Sequence, residues 1–439
     1  MTYQETISFL YERLPMFTRI GAAAYKKDLH NTIALLTPLG NPEKAFKSIH
    51  IAGTNGKGST SHMLAAIFHA NGYKTGLYTS PHLKDFGERI KVSRGEQMEM
   101  ISEQFVIGFV KRVTPLLDQI EPSFFELTVA MAFQYFKEEK IDIAIIETGL
   151  GGRLDSTNVI TPDLSIITNI GWDHMNLLGD SLDKIAFEKA GIIKKNIPVV
   201  IGETLPETKP VFTSKAAIEN APLFFAEDDE IIHTKQSIDT LLVQYQTGTT
   251  TEEYETDLAG LYQQYNLRTI LKSVSILQGN GWQLDPAKTR QALRQVKTLT
   301  GLHGRWELVH KDPLVILDVG HNEDGIKQVL KQIKTMQHQL EKIHMVIGMV
   351  KDKEVEKVLQ LLPADYFYYF TNAHIPRAMP ATELQQKAAE FGLTGSAFEH
   401  VNDALNKALL TASQKDLVIV CGSVFVVGEV TIPIEKTAL

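Results

Sequence analysis

The sequence predicts an α/β protein with two domains, and two observations support this prediction. Between about residues 45 and 200, short apolar runs alternate with helical patterns, which is typical of βαβ units around a parallel sheet. A second series of the same kind begins near residue 314. The chain has 439 residues, of which 44% are hydrophobic, so each domain can bury a core of its own.

In the first series, each predicted strand is a short apolar run followed by a turn or a helix. The helix after the first strand places Met63, Leu64, Ile67 and Phe68 on one face. An amphipathic helix is expected at the N-terminus and another helix over 124–136. The predicted strands of this domain cover residues 48–52, 75–79, 141–146, 164–168 and 198–201.

The pattern changes between residues 225 and 258. An apolar segment at 241–245 and a turn-rich stretch at 247–251 predict a small antiparallel insertion there, because a βαβ unit would need a helix. A helix over 263–277 then leads back to the main body of the domain.

The second domain is also predicted to alternate strands and helices. Its strands are expected over residues 314–317, 343–347, 366–370 and 417–420. A polar, glycine-bearing hinge at 298–301 separates the two domains, which we place at residues 1–298 and 302–439. A cleft between two such domains is a favoured place for a ligand.

The charge and cysteine content exclude several functions. Lys and Arg number 44 against 52 Asp and Glu, a net charge of −8 without a strongly basic block, so nucleic acid is not an expected partner. No apolar run approaches the roughly 18–20 residues of a membrane span, and the N-terminus lacks the features of a signal peptide. The single cysteine, Cys421, permits no intramolecular disulfide and no Cys-based zinc site, and we expect it to be a buried apolar residue. These features predict a cytoplasmic protein.

The strongest local signal is the segment Gly53-Thr54-Asn55-Gly56-Lys57-Gly58-Ser59-Thr60, between a predicted strand and a predicted helix. This is the context of a P-loop, whose glycines let backbone N–H groups face phosphate oxygens at a helix N-terminus. Lys57 is expected to reach the β- and γ-phosphates, and Ser59 or Thr60 to contact phosphate or magnesium, although Gly58 separates the lysine from these hydroxyls. Three glycines and a lysine in eight residues disfavour the alternative, an ordinary βα turn with a solvated lysine. We therefore predict a P-loop parallel-sheet ATPase domain.

Seven further segments follow the P-loop in a fixed order. They are Thr79-Ser80-Pro81-His82-Leu83, Glu147-Thr148-Gly149-Leu150-Gly151-Gly152-Arg153, Asn169-Ile170-Gly171-Trp172-Asp173-His174, Glu188-Lys189-Ala190-Gly191-Ile192, Gly304-Arg305, Asp318-Val319-Gly320-His321-Asn322 and Gly422-Ser423. With these segments the chain resembles the folylpolyglutamate synthase/dihydrofolate synthase family, a branch of the Mur ligase superfamily. The resemblance implies a Mur ligase-type central ATP-binding domain, a Rossmann-like C-terminal glutamate-ligase α/β domain and a monomer.

A metal site is expected where three loops leave one edge of the sheet. Glu147 ends a predicted buried strand, and Ser80 and His174 follow two others, at the edge where α/β sheets collect ligands. A carboxylate there suits Mg²⁺, which prefers oxygen ligands. Because imidazole is an unusual magnesium ligand, residue chemistry alone favours Asp173 and leaves His174 as a hydrogen-bonded loop residue. The resemblance implies instead that Ser80, Glu147 and His174 hold the metal and that His174 is catalytic.

Lys189 is expected at the end of a helix with apolar neighbours. On these residues alone, it would complement the negative end of the helix dipole. The resemblance implies a catalytic, carbamylated lysine that helps to hold a second magnesium ion. Carbamylation requires a neutral amine, which burial favours.

The reaction that the resemblance implies is the formation of an amide bond. The carboxylate of a folate or of dihydropteroate attacks ATP to give an acyl phosphate, and the amino group of L-glutamate then displaces the phosphate. Because two anions must approach each other, Lys57 and magnesium are expected to neutralise charge. The resemblance also assigns nucleotide contacts to Asn266, Arg305, Asp318 and His321. On residue chemistry alone, the last three could instead form a surface ion pair and loop turns.

The acceptor pocket is expected beside His82 and Phe124, where an aromatic ring could stack on a pterin. Phe124 and its neighbour Phe125 could equally be core residues. Two segments differ from the family's commoner form. Residues 262–266 stand where a histidine–glutamine pair is usual before the asparagine, and residues 302–305 stand where a segment of the type Trp-Pro-Gly-Arg is common. These differences leave the details of the adenine pocket open.

Two other functions fit part of the pattern. A Mur ligase that acts on a cell-wall nucleotide peptide needs a UDP-binding domain, for which residues 17–21 and the approach to the P-loop leave no room. A P-loop switch that hydrolyses nucleotide only to change shape predicts turnover without glutamate. A second α/β domain gives that switch little support.

Overall fold

The computed structural model describes residues 1–16, 19, 21, 26, 28–351 and 354–431. The chain forms two compact units, of which the first comprises Met1–Asp257 and Tyr262–Leu302. The second comprises Leu258–Leu261 and the described residues from His303 onward. Of the predicted segment 17–21, residues other than Arg19 and Gly21 lie outside the described residues.

An eight-stranded sheet forms the centre of the first unit. Its strands are β1 (Lys47–Ala52), β2 (Thr75–Tyr78), β3 (Ile90–Arg94), β4 (Gln97–Met100), β5 (Ile143–Glu147), β6 (Leu164–Ile167), β7 (Val199–Ile201) and β8 (Leu223–Phe225). The order is β4-β3-β2-β5-β1-β6-β7-β8, and the six strands from β2 to β8 in this order run parallel. The five predicted strands are confirmed, with bounds that differ by at most two residues.

The antiparallel edge formed by β3 and β4 was not expected from the sequence. Both strands are short, and they carry charged residues such as Arg94 and Glu99, as the exposed edges of sheets commonly do. Lys91 is the exception, because it is 4% exposed and its Nζ donates to the carbonyl oxygen of Thr300 at 2.7 Å. The sheet is therefore mixed rather than purely parallel.

Helices of the first unit pack on the sheet in two apolar clusters. Residues of the N-terminal helix and of the helices after β4 form one cluster with β3 and β5, and residues of the two helices after β6 form another with β6 and β7. The helices are α1 (Tyr3–Arg13), α2 (His30–Leu36), α3 (Lys57–Ala70), α4 (Glu103–Ile120), α5 (Phe124–Glu139), α6 (Met175–Leu178), α7 (Leu182–Ala190), α8 (Lys209–Ile218), α9 (Gln263–Gly279), α10 (Pro286–Leu293) and α11 (Val296–Thr300). Short 3₁₀ helices lie at Pro42–Lys44, Phe86–Arg89, Ser156–Val159, Ala226–Asp228 and, in the second unit, Gln337–Gln339.

The predicted antiparallel insertion is confirmed. It is a three-stranded sheet in the order β11-β10-β9, formed by β9 (Glu230–Gln236), β10 (Leu241–Thr247) and β11 (Thr250–Thr256). The Tyr245 hydroxyl donates to Asp229 at 2.5 Å, and Asp229 also pairs with Lys272 of α9 at 3.1 Å. This pair of contacts attaches the insertion to α9.

The second unit has a six-stranded sheet. Its strands are β12 (Glu307–Lys311), β13 (Leu314–Leu317), β14 (Ile343–Ile347), β15 (Phe367–Thr371), β16 (Gly395–Phe398) and β17 (Leu417–Cys421). The order is β12-β13-β17-β14-β15-β16, and all pairs are parallel except β12 with β13. The helices are α12 (Glu323–Met336), α13 (Val355–Leu359), α14 (Ala381–Glu390), α15 (Val401–Thr411) and α16 (Val424–Glu429). The four predicted strands are confirmed.

Two expectations about composition can be compared with the fold. Cys421 is completely buried at the end of β17, as expected, and burial raises the pKa of its thiol. Within the described residues, no helix combines the length and the apolar character needed to cross a membrane.

The expected hinge residues 298–300 lie in α11, and Gly301 ends this helix in the left-handed conformation.

Candidate active site

The phosphate loop joins β1 to α3 at the carboxyl edge of the first sheet. Gly53 has φ +152° and Gly56 has φ +83°, conformations that L side chains rarely adopt. A Cβ atom at Gly53 would lie 1.8 Å from Oγ1 of Thr168, at the end of the neighbouring β6. The expected strand–loop–helix context is present, and both glycines are needed for its geometry.

The loop after β6 is hydrogen-bonded to the phosphate loop. The N–H of Thr54 donates to the Asn169 carbonyl at 3.0 Å, and the N–H of Asn55 donates to the Asn169 side-chain oxygen at 2.9 Å. The Thr168 hydroxyl donates to the Asn55 carbonyl at 2.6 Å. These bonds fix the start of the segment that leads to His174.

Lys57 folds back over the phosphate loop. Its Nζ donates to the carbonyl oxygens of Gly53 at 3.0 Å and Thr54 at 3.2 Å. Two hydroxyls in the first turns of α3, those of Thr60 and Ser61, are buried without a hydrogen-bond partner. Because buried polar groups are costly when unpaired, and a helix N-terminus attracts anions, this arrangement fits a phosphate group.

Two side chains from α9 hold the other side of the loop. Nε2 of Gln263 donates to the Ser59 hydroxyl at 3.1 Å, and Nδ2 of Asn266 donates to Oε1 of Gln263 at 2.8 Å. A Cβ atom at Gly56 would lie 2.2 Å from Oδ1 of Asn266. Asn266 therefore lies against the phosphate loop itself, and sequence reasoning missed the bridging role of Gln263.

The three predicted metal ligands lie on loops at the same edge of the sheet. The N–H of Ser80 donates to Oε2 of Glu147 at 3.1 Å, and Glu147 is 5% exposed at the end of β5. His174 precedes α6 with φ +52°, and its N–H donates to Oδ1 of Asp173 at 2.8 Å. These loops follow β2, β5 and β6. In the sheet order, β5 and β6 flank β1 and its phosphate loop, and β2 lies on the far side of β5.

Lys189 reaches the phosphate loop from the end of α7. Its Nζ donates to the Gly53 carbonyl at 2.8 Å, and the residue is 5% exposed. The helix end packs directly on the loop after β5, since a Cβ atom at Gly152 would lie 2.8 Å from the Lys189 carbonyl oxygen. The N–H of Arg153 donates to the Glu188 carbonyl at 2.7 Å, and the two side chains form an ion pair at 2.8 Å.

Asp155 organises the glycine-rich loop after Glu147 and was missed in the sequence. Its carboxylate accepts hydrogen bonds from the N–H groups of Leu150 at 2.8 Å and Thr157 at 3.0 Å. Burial raises the pKa of Asp155, against the effect of these hydrogen bonds. The available signal was its place at the end of a glycine-rich run before a turn, where Asp commonly caps backbone N–H groups.

The donor set fits a hard divalent cation. Ser80 and Glu147 offer oxygen atoms beside the phosphate loop, where bound phosphate and water would supply the remaining oxygen ligands that magnesium prefers. In the described part of the chain, no three His, Cys, Asp or Glu side chains group closely enough to hold a metal by themselves.

Comparisons with known proteins agree with this geometry. Residues 51–271 match the Mur ligase middle domain, and residues 304–424 match the Mur ligase glutamate ligase domain. The chain is 34% identical to the dihydrofolate synthase/folylpolyglutamate synthase of Bacillus subtilis over 98% of both chains. The chain belongs to the dihydrofolate synthase/folylpolyglutamate synthase family of Mur ligases. It is accordingly an ATP-dependent ligase that forms amide bonds, and the resemblance seen in the sequence is confirmed.

Solved structures of this ligase family share the fold. Escherichia coli FolC in complex with DHPP and ADP has a TM-score of 0.83 and 28% identity, over 98% of this chain and 96% of that chain. The bifunctional enzyme of Yersinia pestis, complexed with AMPPNP and a Mn ion, has a TM-score of 0.80 and 28% identity, over 98% and 97% of the chains. These likenesses support ATP and a divalent metal as ligands of this Mur ligase.

The predicted acceptor residues of this ligase lie beside a buried arginine. Nδ1 of His82 accepts a hydrogen bond from Nε of Arg89 at 2.8 Å, and burial together with Arg89 lowers the pKa of His82 to about 3. Phe124 is 4% exposed, and its ring contacts Tyr11 and the Arg89 guanidinium. Phe125 is less buried, and it packs against Gly149 in the loop after Glu147.

The second unit of the ligase carries the other predicted nucleotide residues. Asp318 is 3% exposed, and its carboxylate accepts from the N–H groups of Trp306 at 2.9 Å and Gly320 at 2.8 Å. Arg305 donates to the Gly304 carbonyl at 3.2 Å, and Nδ1 of His321 lies 3.0 Å from the carbonyl oxygen of Val319. Within this unit, Asp318 therefore holds together the turns that carry Arg305 and His321.

Proposed function

We propose that this Mur ligase joins L-glutamate to folates, to dihydropteroate, or to both, through an acyl phosphate. Its Bacillus subtilis relative is named for both activities, and the Escherichia coli relative binds DHPP and ADP in its solved structure. One observation carries the proposal. Lys57 of the phosphate loop and Lys189 of the predicted metal site both donate a hydrogen bond to the carbonyl oxygen of Gly53.

The chemistry follows two displacements. A carboxylate oxygen of the acceptor attacks the γ-phosphorus of ATP, and the bond to the β-phosphate oxygen breaks to release ADP. The glutamate nitrogen then bonds to the acyl carbon, phosphate leaves with the bridging oxygen, and the nitrogen loses a proton to solvent. Lys57 and the N–H groups of the loop stabilise the charge that moves onto the β-phosphate.

Nucleotide contacts are proposed on both units. In the first unit, the backbone of residues 55–60 would cradle the phosphates, and Asn266, which lies against Gly56, supports the proposal that α9 borders the nucleotide. In the second unit, Arg305 and His321, held by Asp318, are proposed to contact it as well. Arginine suits this role because its fork donates two parallel hydrogen bonds to a phosphate.

Two magnesium ions are proposed at the carboxyl edge of the first sheet. Ser80, Glu147 and His174 would hold the first, and Lys189 in a modified form would help to hold the second. Bound magnesium supplies positive charge that offsets the repulsion between the acceptor carboxylate and the phosphates. Glu147 is already oriented for this task by the N–H of Ser80.

Carbamylation of Lys189 is supported by its neighbour. The Nζ atoms of Lys57 and Lys189 can be no more than 5.8 Å apart, because they lie 3.0 Å and 2.8 Å from the same Gly53 oxygen. Two ammonium groups at that separation repel each other by about 3 kcal/mol at an effective dielectric constant of 20. If neutral Lys189 adds carbon dioxide through its nitrogen and releases one proton, the resulting carbamate attracts Lys57 instead.

The acceptor is proposed to bind beside His82 and Phe124. His82 is neutral at physiological pH, and it lies in the same loop as Ser80, two residues further along the chain. Phe124 would support the wall of the acceptor site from the core side, since little of its surface is exposed. Phe125, which is less buried, offers a ring edge nearer the Glu147 loop.

We further propose that the enzyme is monomeric and cytoplasmic, and that it has no nucleic-acid or membrane partners.

The activity is tested by measuring ADP release with Mg-ATP and L-glutamate. One sample contains dihydropteroate, a second contains tetrahydrofolate monoglutamate, and a third contains neither. We expect ADP only where glutamate and a pterin acceptor are both present. Equal ADP formation in all three samples would instead identify a nucleotide switch.

The modification of Lys189 has a separate spectroscopic test. Protein incubated with ¹³C-bicarbonate should show one carbamate carbon signal that is absent from Lys189→Arg. Lys184→Arg is the matched control, because Lys184 lies on the same helix and is exposed. A wild-type spectrum without the signal, or a signal that persists in Lys189→Arg, would contradict the proposal whatever the activity.

A further inference from the structure

Arg89 is a buried cation to which the described residues supply no acidic partner. It precedes β3 and is 5% exposed. Its Nε donates to His82, and its guanidinium carbon lies 5.3 Å from the centroid of the Phe124 ring. Within the described parts of the chain, no carboxylate forms an ion pair with Arg89, and nothing accepts a hydrogen bond from its two terminal nitrogens.

The carboxylates nearest to Arg89 do not pair with it directly. Glu88 and Glu147 favour its charged form from beyond ion-pair distance, and the Glu88 carboxylate accepts hydrogen bonds from the N–H groups of residues 83–85.

Because Nδ1 of His82 accepts the Arg89 hydrogen bond, the proton of the neutral imidazole lies on Nε2, which is 3.5 Å from the Tyr11 hydroxyl. The Tyr78 hydroxyl is hydrogen-bonded to the Thr128 hydroxyl at 3.1 Å, not to Arg89. Phe124 offers only a ring face. A buried guanidinium in such surroundings is unfavourable unless an anion pairs with it.

The ligand that fits Arg89 is a carboxylate beside the reaction centre. The two terminal nitrogens of arginine match the two oxygens of a carboxylate in a planar, bidentate pair. The N–H of Thr79 donates to the Arg89 carbonyl at 3.0 Å, and the next residue, Ser80, donates to Glu147. Arg89 is thus adjacent to the loop of the proposed metal site without being part of it.

We propose that Arg89 binds the non-reacting carboxylate of the terminal glutamyl residue in a folate acceptor. This inference rests on the proposed function, in which one carboxylate of the acceptor is phosphorylated. A bidentate arginine would engage both oxygens of the reacting carboxylate and reduce its nucleophilicity, so the non-reacting carboxylate is the suitable partner. Dihydropteroate has only the reacting carboxylate. Arg89 therefore favours folates over dihydropteroate.

The test compares both acceptors in matched variants. In Arg89→Gln, the KM for tetrahydrofolate monoglutamate should rise about 10- to 100-fold, which corresponds to the loss of a charged hydrogen-bonded pair. The KM for dihydropteroate should change less than about threefold on the same scale. Arg94→Gln is the control, because Arg94 is exposed on β3 and pairs with Glu139. Arg89→Lys, which keeps the charge but not the fork, should recover part of the loss and replaces Arg89→Gln if the latter does not fold.

The outcomes separate this inference from the proposed function. Wild-type protein that releases no glutamate-dependent ADP with either acceptor would overturn the proposed function and the inference with it. Wild-type turnover of both acceptors, followed by equal losses for both in the Arg89 variants, would overturn the inference alone and show a structural role. An unchanged KM for both acceptors, or wild-type turnover of dihydropteroate only, would also overturn it.

Discussion

Gln263 allows a quantitative test of how the phosphate loop is held. It is completely buried, donates to Ser59 at 3.1 Å and accepts from Asn266 at 2.8 Å. Gln263→Leu keeps nearly the same volume but leaves the Ser59 hydroxyl and the Asn266 amide without this partner. Each of these two buried polar groups costs about 1–3 kcal/mol when it loses its partner, so the variant should lose about 2–6 kcal/mol of unfolding free energy.

The assay is urea unfolding together with the KM for ATP in the ligase reaction. Because Asn266 lies against Gly56, its release should also disturb the phosphate loop and raise the KM for ATP about tenfold. Gln264→Leu is the control, since Gln264 is the next residue, is less buried and accepts from Thr234 on the insertion. If the two variants unfold at the same urea concentration and keep the wild-type KM, the Gln263 bridge does not hold the loop.

Three further predictions concern other parts of the chain. Gly53→Ala, whose Cβ would meet Thr168 at 1.8 Å, should reduce ATP turnover strongly, whereas Gly248→Ala, with open space around it, should not. Burial and Lys194 lower the pKa of His50 from 6.5 to about 3, so the unfolded chain binds a proton that the folded chain does not. Stability should therefore fall as the pH drops below 6.5, by about 2 kcal/mol at about pH 5, and acid titration of His50→Gln should show a shallower loss. Cys421 should resist iodoacetamide in the native protein and react in urea, as followed by mass spectrometry; native labelling would contradict its burial.

The sequence was sufficient where a local pattern determines the structure. Apolar runs bounded by turn residues marked the buried parallel strands, because such strands are hydrophobic on both faces. The phosphate loop was equally visible, because its backbone needs glycine at Gly53 and Gly56. The edge strands β3 and β4 were missed because exposed edges carry charged residues, which weaken the apolar pattern.

Side-chain partners far apart in the chain could not be predicted in this way. Gln263 was noted only as part of a variant motif, and its bond to Ser59 joins residues 204 positions apart. Arg89 and His82 are close in sequence, yet nothing in their spacing shows that the arginine is buried without an acid. The predicted roles of His174, Arg305 and His321 stay predictions, because they depend on ligands rather than on the fold.

The Gly53 carbonyl explains why loop geometry and charge are linked in this enzyme. Its oxygen accepts from both lysines, so both hold the loop although their positive charges repel each other. A bound γ-phosphate would draw Lys57 away from Gly53, since a phosphate is a far stronger partner for an ammonium group than a carbonyl. Lys189, anchored on α7 and clamped through Glu188 to the loop after β5, would remain. The nucleotide would therefore shift Lys57 and leave Lys189 at the Gly53 carbonyl, where the proposed carbamate would stay next to the phosphate loop.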